Sequence, residues 1–219
     1  MTRWATFDCY GTLIDWNSGI RAELARLWPD ADPDELLARY HELEPEIEEQ
    51  EPGLTYRVVM QRVLAGLGDV PAGEEDALGQ ALPGWRAFPE VAPALEDARR
   101  RGWRLGILSN TDRDFIEASK QRIGVPFDET VVASEIGSYK PARKHWDEFY
   151  ARADADRARH VHVAQSVLHD IVPAKELGLA TVWINRLGEV SDTKPTRELP
   201  DLERLADVLD ELVAAPTRA

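Results

Sequence analysis

A single cysteine stands in 219 residues, so no disulfide can form within the chain, and Cys9 suits a reducing compartment. No apolar run approaches the ~18 residues that a membrane-spanning helix needs. Basic residues are the minority: 26 Lys and Arg against 40 Asp and Glu give a net charge of −14. That balance argues against nucleic-acid or anionic-membrane partners, which need basic patches. It leaves room for a small anionic substrate, because a few buried cations can set a local field. The N-terminus, "MTRWATFDC", enters a strand directly instead of opening as a charged and apolar leader, so a cytoplasmic protein is expected. What is present suits a folded chain: 43% hydrophobic and 30% charged residues supply a core for one large domain or for a core with an insertion.

Five short apolar runs read as buried strands, at 4–9, 103–110, 130–134, 160–165 and 180–185. Helical patterns at 91–102, 113–124, 143–153 and 171–180 separate the later ones, and Gly102, Gly124 and Gly178 fall where glycines end helices. Alternation of this kind predicts a parallel α/β sheet covered on both faces. Between the first two strands the pattern changes. Residues 16–87 hold only helical periodicity, at 18–28, 33–50 and 55–68, with Ser18, Asp32 and Thr55 as expected N-caps and Pro33 at a first helical position. The division expected is a core of 1–15 and 88–219 with a helical cap at 16–87. The C-terminal "AAPTRA" is expected to fray.

In open α/β sheets, sites gather beyond the carboxyl ends of the strands. Four strand ends here carry polar residues: Asp8, then Ser109 and Asn110, then Lys140, then Asp170. Each alone is ordinary turn or cap chemistry. Their order at successive strand ends is not. The segments "FDCYGTL", "LSN", "YKP" and "QSVLHD" resemble, in that order, the four motifs of the haloacid dehalogenase superfamily. The resemblance implies a Rossmann-like α/β fold, a parallel sheet of order 5-4-1-2-3, with the cap inserted after strand one.

Two departures choose a branch. Most members are magnesium-dependent phosphatases whose aspartate nucleophile is followed, two residues on, by an acid that protonates the leaving oxygen. Here that position is Tyr10, a phenol with an ordinary pKa near ~10 and a poor acid at neutral pH. Before the last aspartate those enzymes carry a metal carboxylate; here it is the uncharged Gln165, whereas Mg2+ prefers anionic oxygen. The pattern Asp-x-Tyr-Gly-Thr is similar to the L-2-haloacid dehalogenases, whose halide leaves without a proton. That resemblance implies Asp8 as nucleophile, Lys140 holding it, and Asp170 paired with Lys140 and positioning water. It implies Thr12 bonded to Asp8, Ser109 cradling a substrate carboxylate, and Asn110 lining a halide pocket. Tyr10, Gln165, Ser166 and His169 fall among the substrate-facing residues. No cofactor is required, with residual Mg2+ binding at Asp8 and Asp170 left open, and the resemblance leaves room for a homodimer.

A cationic cap residue should meet the departing halide. Arg39 is the first candidate and Arg57 its rival. Other residues depart from the pattern: His169 stands where an aromatic is usual, and Trp146 where a tyrosine is usual. Trp16 and Trp85 could wall a pocket or pack a hinge. The acidic run "ELEPEIEEQE" (42–51) reads as a solvated helix face, although over the site mouth it would repel anions. The leading reading is metal-independent hydrolysis of short L-2-haloacids to 2-hydroxy acids. Alternatives are a phosphatase with an unusual acid, a hydrolase of another activated C2–X bond, and a non-catalytic protein of the same fold.

Overall fold

The computed structural model describes residues 2–215; most of the "AAPTRA" end lies outside the described residues. Six strands form one parallel sheet: β1 Arg3–Phe7, β2 Trp103–Ser109, β3 Glu129–Val132, β4 His160–Ala164, β5 Ala180–Ile184 and β6 Arg197–Leu199. Their spatial order is β3-β2-β1-β4-β5-β6, which is the predicted 5-4-1-2-3 order with β6 added at one edge. β1 is buried along its whole length because both faces are covered. One face carries Phe7, Leu105, Val163 and Val182, the other Trp4, Leu108 and Val131. The order reverses between β1 and β4, so the loops after these neighbouring strands open the crevice where Asp8 and Asp170 sit.

Around the sheet lie α5 Val91–Arg100, α6 Arg113–Ile123, α7 Ala133–Ile136, α8 Lys144–Ala153, α9 Val172–Glu176 and α10 Leu205–Leu212. Gly124 ends α6 at φ +75°, a left-handed conformation that favours glycine. The helix predicted over 171–180 is shorter. The chain first makes a wide π-type turn over Val167–Ile171, and α9 follows. α10 and β6 had no counterpart in the sequence reading.

Between β1 and α5 the chain forms α1 Trp16–Leu27, α2 Pro33–Gln50, α3 Tyr56–Leu67 and α4 Ala77–Ala81. It leaves and returns side by side: Asp15 donates its amide to Arg86 O at 2.8 Å, and Phe88 donates to Leu13 O at 3.1 Å. Asp15, not Ser18, caps α1, accepting from the Ser18 amide. Asp32 caps α2 as expected. Thr55 occupies the N-cap of α3 but makes no side-chain bond there. That task falls to Asp112, after β2, which accepts from the amides of Tyr56 at 2.9 Å and Arg57 at 3.0 Å. A residue that follows β2 thus caps a helix of the segment between β1 and α5, which fixes that helix over the end of β2. Asp112→Ala should lower stability by about 1–2 kcal/mol, read as a shift in urea midpoint, because two helix-end donors lose their acceptor. An unchanged midpoint would remove this tertiary cap from the account.

Candidate active site

Asp8 follows β1 directly, its amide still paired to Val163 O of β4 at 3.1 Å. The turn behind it needs Gly11. The backbone there has φ +86°, and a Cβ would sit 3.0 Å from the Trp16 indole nitrogen and 3.2 Å from Gln165 Oε1. This turn brings Thr12 back over Asp8, where its Oγ1 donates to Oδ2 at 2.9 Å and accepts from the Gln165 amide at 2.9 Å. One hydroxyl therefore joins the loop after β1 to the loop after β4. Tyr10 behaves differently from an acid in that place. Its ring borders the cavity, but its hydroxyl lies 3.0 Å from Ser119 Oγ on α6, and burial pushes the phenol well above its ordinary pKa.

Lys140 is fully used. Its Nζ donates to Asp8 Oδ1 at 2.9 Å, Asp170 Oδ1 at 2.6 Å and Leu108 O at 2.9 Å, with the side chain buried. Burial opposes the charge on Lys140, but Asp170 and Asp8 outweigh it and raise its pKa. Burial would likewise raise Asp170, yet Lys140 and His162 hold it down to about 2. On Asp8 burial prevails and the pKa goes up, against the pull of Lys140. The carboxylates are thus unequal: Asp170 is locked in its charged form, and Asp8 is the less comfortably charged of the two.

His162 belongs to this cluster, although the sequence reading took it only as part of a strand. Its Nε2 donates to Asp170 Oδ1 at 2.9 Å, and Thr6 Oγ1 lies 2.8 Å from its Nδ1. Thr6 Oγ1 also lies 2.6 Å from His160 Nε2, and Tyr150 OH 2.5 Å from His160 Nδ1. The signal was available, since His160 and His162 alternate on one face of β4. Asp170 Oδ2 is buried with no partner among the described residues, as is Ser109 Oγ. Trp146 is buried against the His162 ring, 5.2 Å between centroids, and does not border the cavity.

The cavity above Asp8 holds about 360 Å³. Asp8, Tyr10, Ser109, Asn110, Lys140 and Asp170 border it, as do Gln165, Ser166 and His169. Burial lowers the pKa of His169, and its amide donates to Ser166 Oγ at 3.1 Å. Three expectations need correction, those for Arg39, Arg57 and the acidic run. Arg39 is exposed on α2 and donates to Gly66 O at 3.3 Å; it is not at the cavity. The reason is helical phase: Tyr40, Glu44 and Glu48 face inward at a spacing of four, and Arg39 is about 100° around the helix from Tyr40. Arg57 is also absent from the cavity wall; it pairs with Asp76 at 2.6 Å and Asp114 at 3.2 Å and lies over the Phe115 ring. Asn110 borders the cavity with its donors already spent, because Nδ2 donates to Glu48 Oε2 and to Lys140 O, both at 3.0 Å. The acidic run is not uniformly solvated either, since Glu44 and Glu48 are buried and line the cavity.

The model of haloacid dehalogenase-like hydrolases matches residues 2–178. The chain belongs to the haloacid dehalogenase-like hydrolases. It is 26% identical to the (S)-2-haloacid dehalogenase of Pseudomonas sp. (strain YL), over 93% of each chain. The L-2-haloacid dehalogenase structure from Xanthobacter autotrophicus superposes with a TM-score of 0.81 at 18% identity, over 98% of this chain and 100% of that one. A glyceraldehyde 3-phosphate phosphatase of Methanothermobacter thermautotrophicus is 30% identical over 46% of this chain and 45% of its own.

For a haloacid dehalogenase-like hydrolase, Mg2+ between the motif carboxylates is a choice to be tested on the donor set. It does not suit the residues present. Asp8 already receives Thr12 and Lys140, Asp170 already receives Lys140 and His162, and Gln165 offers a neutral amide that donates to Glu189 at 3.2 Å. No group of three or more His, Cys, Asp or Glu with metal-holding geometry occurs among the described residues.

Proposed function

We propose that the chain hydrolyses 2-haloacids to 2-hydroxy acids through an ester on Asp8, without metal, beneath residues 16–87 acting as a cap. The observation that carries this reading is the tethered carboxylate: Asp8 Oδ1 on Lys140, Oδ2 on Thr12, and the Tyr10 phenol turned to Ser119. A nucleophile is thus fixed in a buried site with no acid two residues on, which favours a leaving group that departs as a stable anion. Asp8 attacks C2, an O–C2 bond forms, and the C–halogen electron pair leaves with the halide. Water then adds to the Asp8 carbonyl, one of its protons leaves with the alcohol and the other passes to solvent, and the Asp8 carboxylate returns. Asp170 Oδ2, which has no partner among the described residues, is an acceptor that can orient that water. Lys140 stabilises the negative charge that develops on the Asp8 oxygens.

Halide release from 2-chloropropionate and 2-chlorobutanoate should proceed in EDTA at the rate seen with added Mg2+. Solvent oxygen should enter Asp8 during a single turnover in H2(18)O. Silence across chloro-, bromo- and fluoroacids, together with Mg2+-dependent hydrolysis of an aryl phosphate, would replace this reading with a phosphatase.

A further inference from the structure

The cavity is short of positive charge. Five carboxyl groups border it, from Asp8, Glu44, Glu48, Asp170 and Glu189, and Lys140 is its single Lys or Arg among the described residues. All three protons of that ammonium are already donated, to Asp8, Asp170 and Leu108 O. The two glutamates of α2 are buried, and neither forms an ion pair among the described residues. Glu44 Oε1 accepts from Tyr56 OH at 2.6 Å and Tyr40 OH at 3.1 Å, and Glu48 Oε2 accepts from Asn110 at 3.0 Å. The second oxygen of each takes no hydrogen bond from the described residues, and each residue borders the cavity.

Burial of a carboxyl without a cation is costly, and it shows in both groups. Burial pushes Glu44 up to about 7, and burial with the neighbouring Glu44 pushes Glu48 well up. A solvated helix face does not place two acids at a spacing of four toward a cavity. Beside them the wall is aromatic: Tyr10, Trp16 and Tyr56 line the same space, with the Tyr10 and Tyr56 rings 6.3 Å apart and stacked. Carboxyl oxygens together with aromatic faces form the usual surroundings of an ammonium group. Ser109 Oγ, buried and without a partner among the described residues, belongs to a residue that borders the same cavity as Lys140 and Asp8 and marks a second polar position that suits the substrate carboxylate.

We propose that the substrate is zwitterionic: a 2-substituted carboxylic acid whose chain carries a protonated amine, received by Glu44 and Glu48 against the Tyr10, Trp16 and Tyr56 rings. The substrate class rests on the ester reaction above; the recognition of an ammonium group is measured separately from it. The bonds made and broken are unchanged. The amine is retained, and only the C2 substituent leaves.

The test compares ligands that differ in one charge. Binding of 4-aminobutanoate and butanoate to the wild-type protein is measured by calorimetry, and halide release is measured from 4-amino-2-chlorobutanoate and 2-chlorobutanoate. The amine should improve binding and kcat/KM at least ~10-fold, the scale of one charge-assisted hydrogen bond. Glu44→Gln and Glu48→Gln should each shrink that preference, but the wild-type comparison stands without them. Butanoate binding as tightly as 4-aminobutanoate overturns the proposal whatever the halide assay gives. An intact amine preference with no halide released from either chloroacid supports ammonium recognition and removes the ester reaction instead.

Discussion

Asparagine at position 8 is expected to abolish turnover and to leave the fold at least as stable as before. An amide oxygen cannot displace a leaving group as a carboxylate does, so halide release should fall by at least ~10⁴-fold, as when other enzymes lose their nucleophile. Stability follows a separate line. Burial raises the pKa of Asp8 in the folded protein. For an acid with a raised folded pKa, the ionised form costs stability once the pH exceeds the unfolded value, and the cost is complete above the folded value. An uncharged side chain removes that cost, while Lys140 keeps Asp170 as a partner at 2.6 Å. The buried cluster changes from two carboxylates on one ammonium to a matched pair. The unfolding free energy at pH 7, read from urea unfolding, should therefore stay level or rise by up to about 1 kcal/mol, a functional residue being replaced by a more comfortable one. Loss of more than ~2 kcal/mol would mean that Asp8 holds the turn through Thr12 more than it strains the core.

How much of this was legible in the sequence depends on the range of the interaction. Asp8, Lys140 and Asp170 were legible together because each follows a strand of the sheet, and the strand order implied by the family resemblance brings those loops to one crevice. Thr12 entered through the family resemblance, and the turn at Gly11 puts its Oγ1 on Asp8, four residues away. Alternation of strands and helices indicated a parallel sheet and the family resemblance implied its order, whereas β6 was missed because "REL" is short and only partly covered. Arg39 failed on helical phase: sequence distance placed it on the right helix, but Tyr40, Glu44 and Glu48 took the inward face. A run of acids has no visible inside until its partner surface is known, and so Glu44 and Glu48 read as solvated. Asp112 could not be recognised as the cap of α3, because that bond spans 56 residues. His162 could have been found, since alternate histidines on a buried strand must meet polar partners somewhere.

The opposite outcome to that at Asp8 is expected when Lys140 is replaced by methionine. The side chain keeps its length and loses the charge that neutralises two buried acids, at 2.9 Å and 2.6 Å. Removing one member of a buried ionic cluster leaves uncompensated charge, which costs about 3–5 kcal/mol. The pH dependence should also change sign. In the native protein Asp170 is held down to about 2. Its contribution is present above the unfolded carboxyl value near ~4 and is lost as the pH falls toward the folded one. Lys140, with its pKa raised above 10.5, contributes below that value and gives way only in stronger alkali. Without the ammonium, burial governs both acids and their mutual repulsion adds to it, so both folded pKa values rise. A raised carboxyl costs stability at neutral pH and recovers it on protonation. The K140M protein should therefore gain more stability between pH 7 and pH 5 than the native protein does, and urea midpoints at the two values measure the difference. Halide release should fall at least ~10³-fold, because the charge that keeps Asp8 ionised and receives its developing negative charge is gone. Equal midpoints at both pH values would show that water reaches the acids and solvates them in place of the lysine.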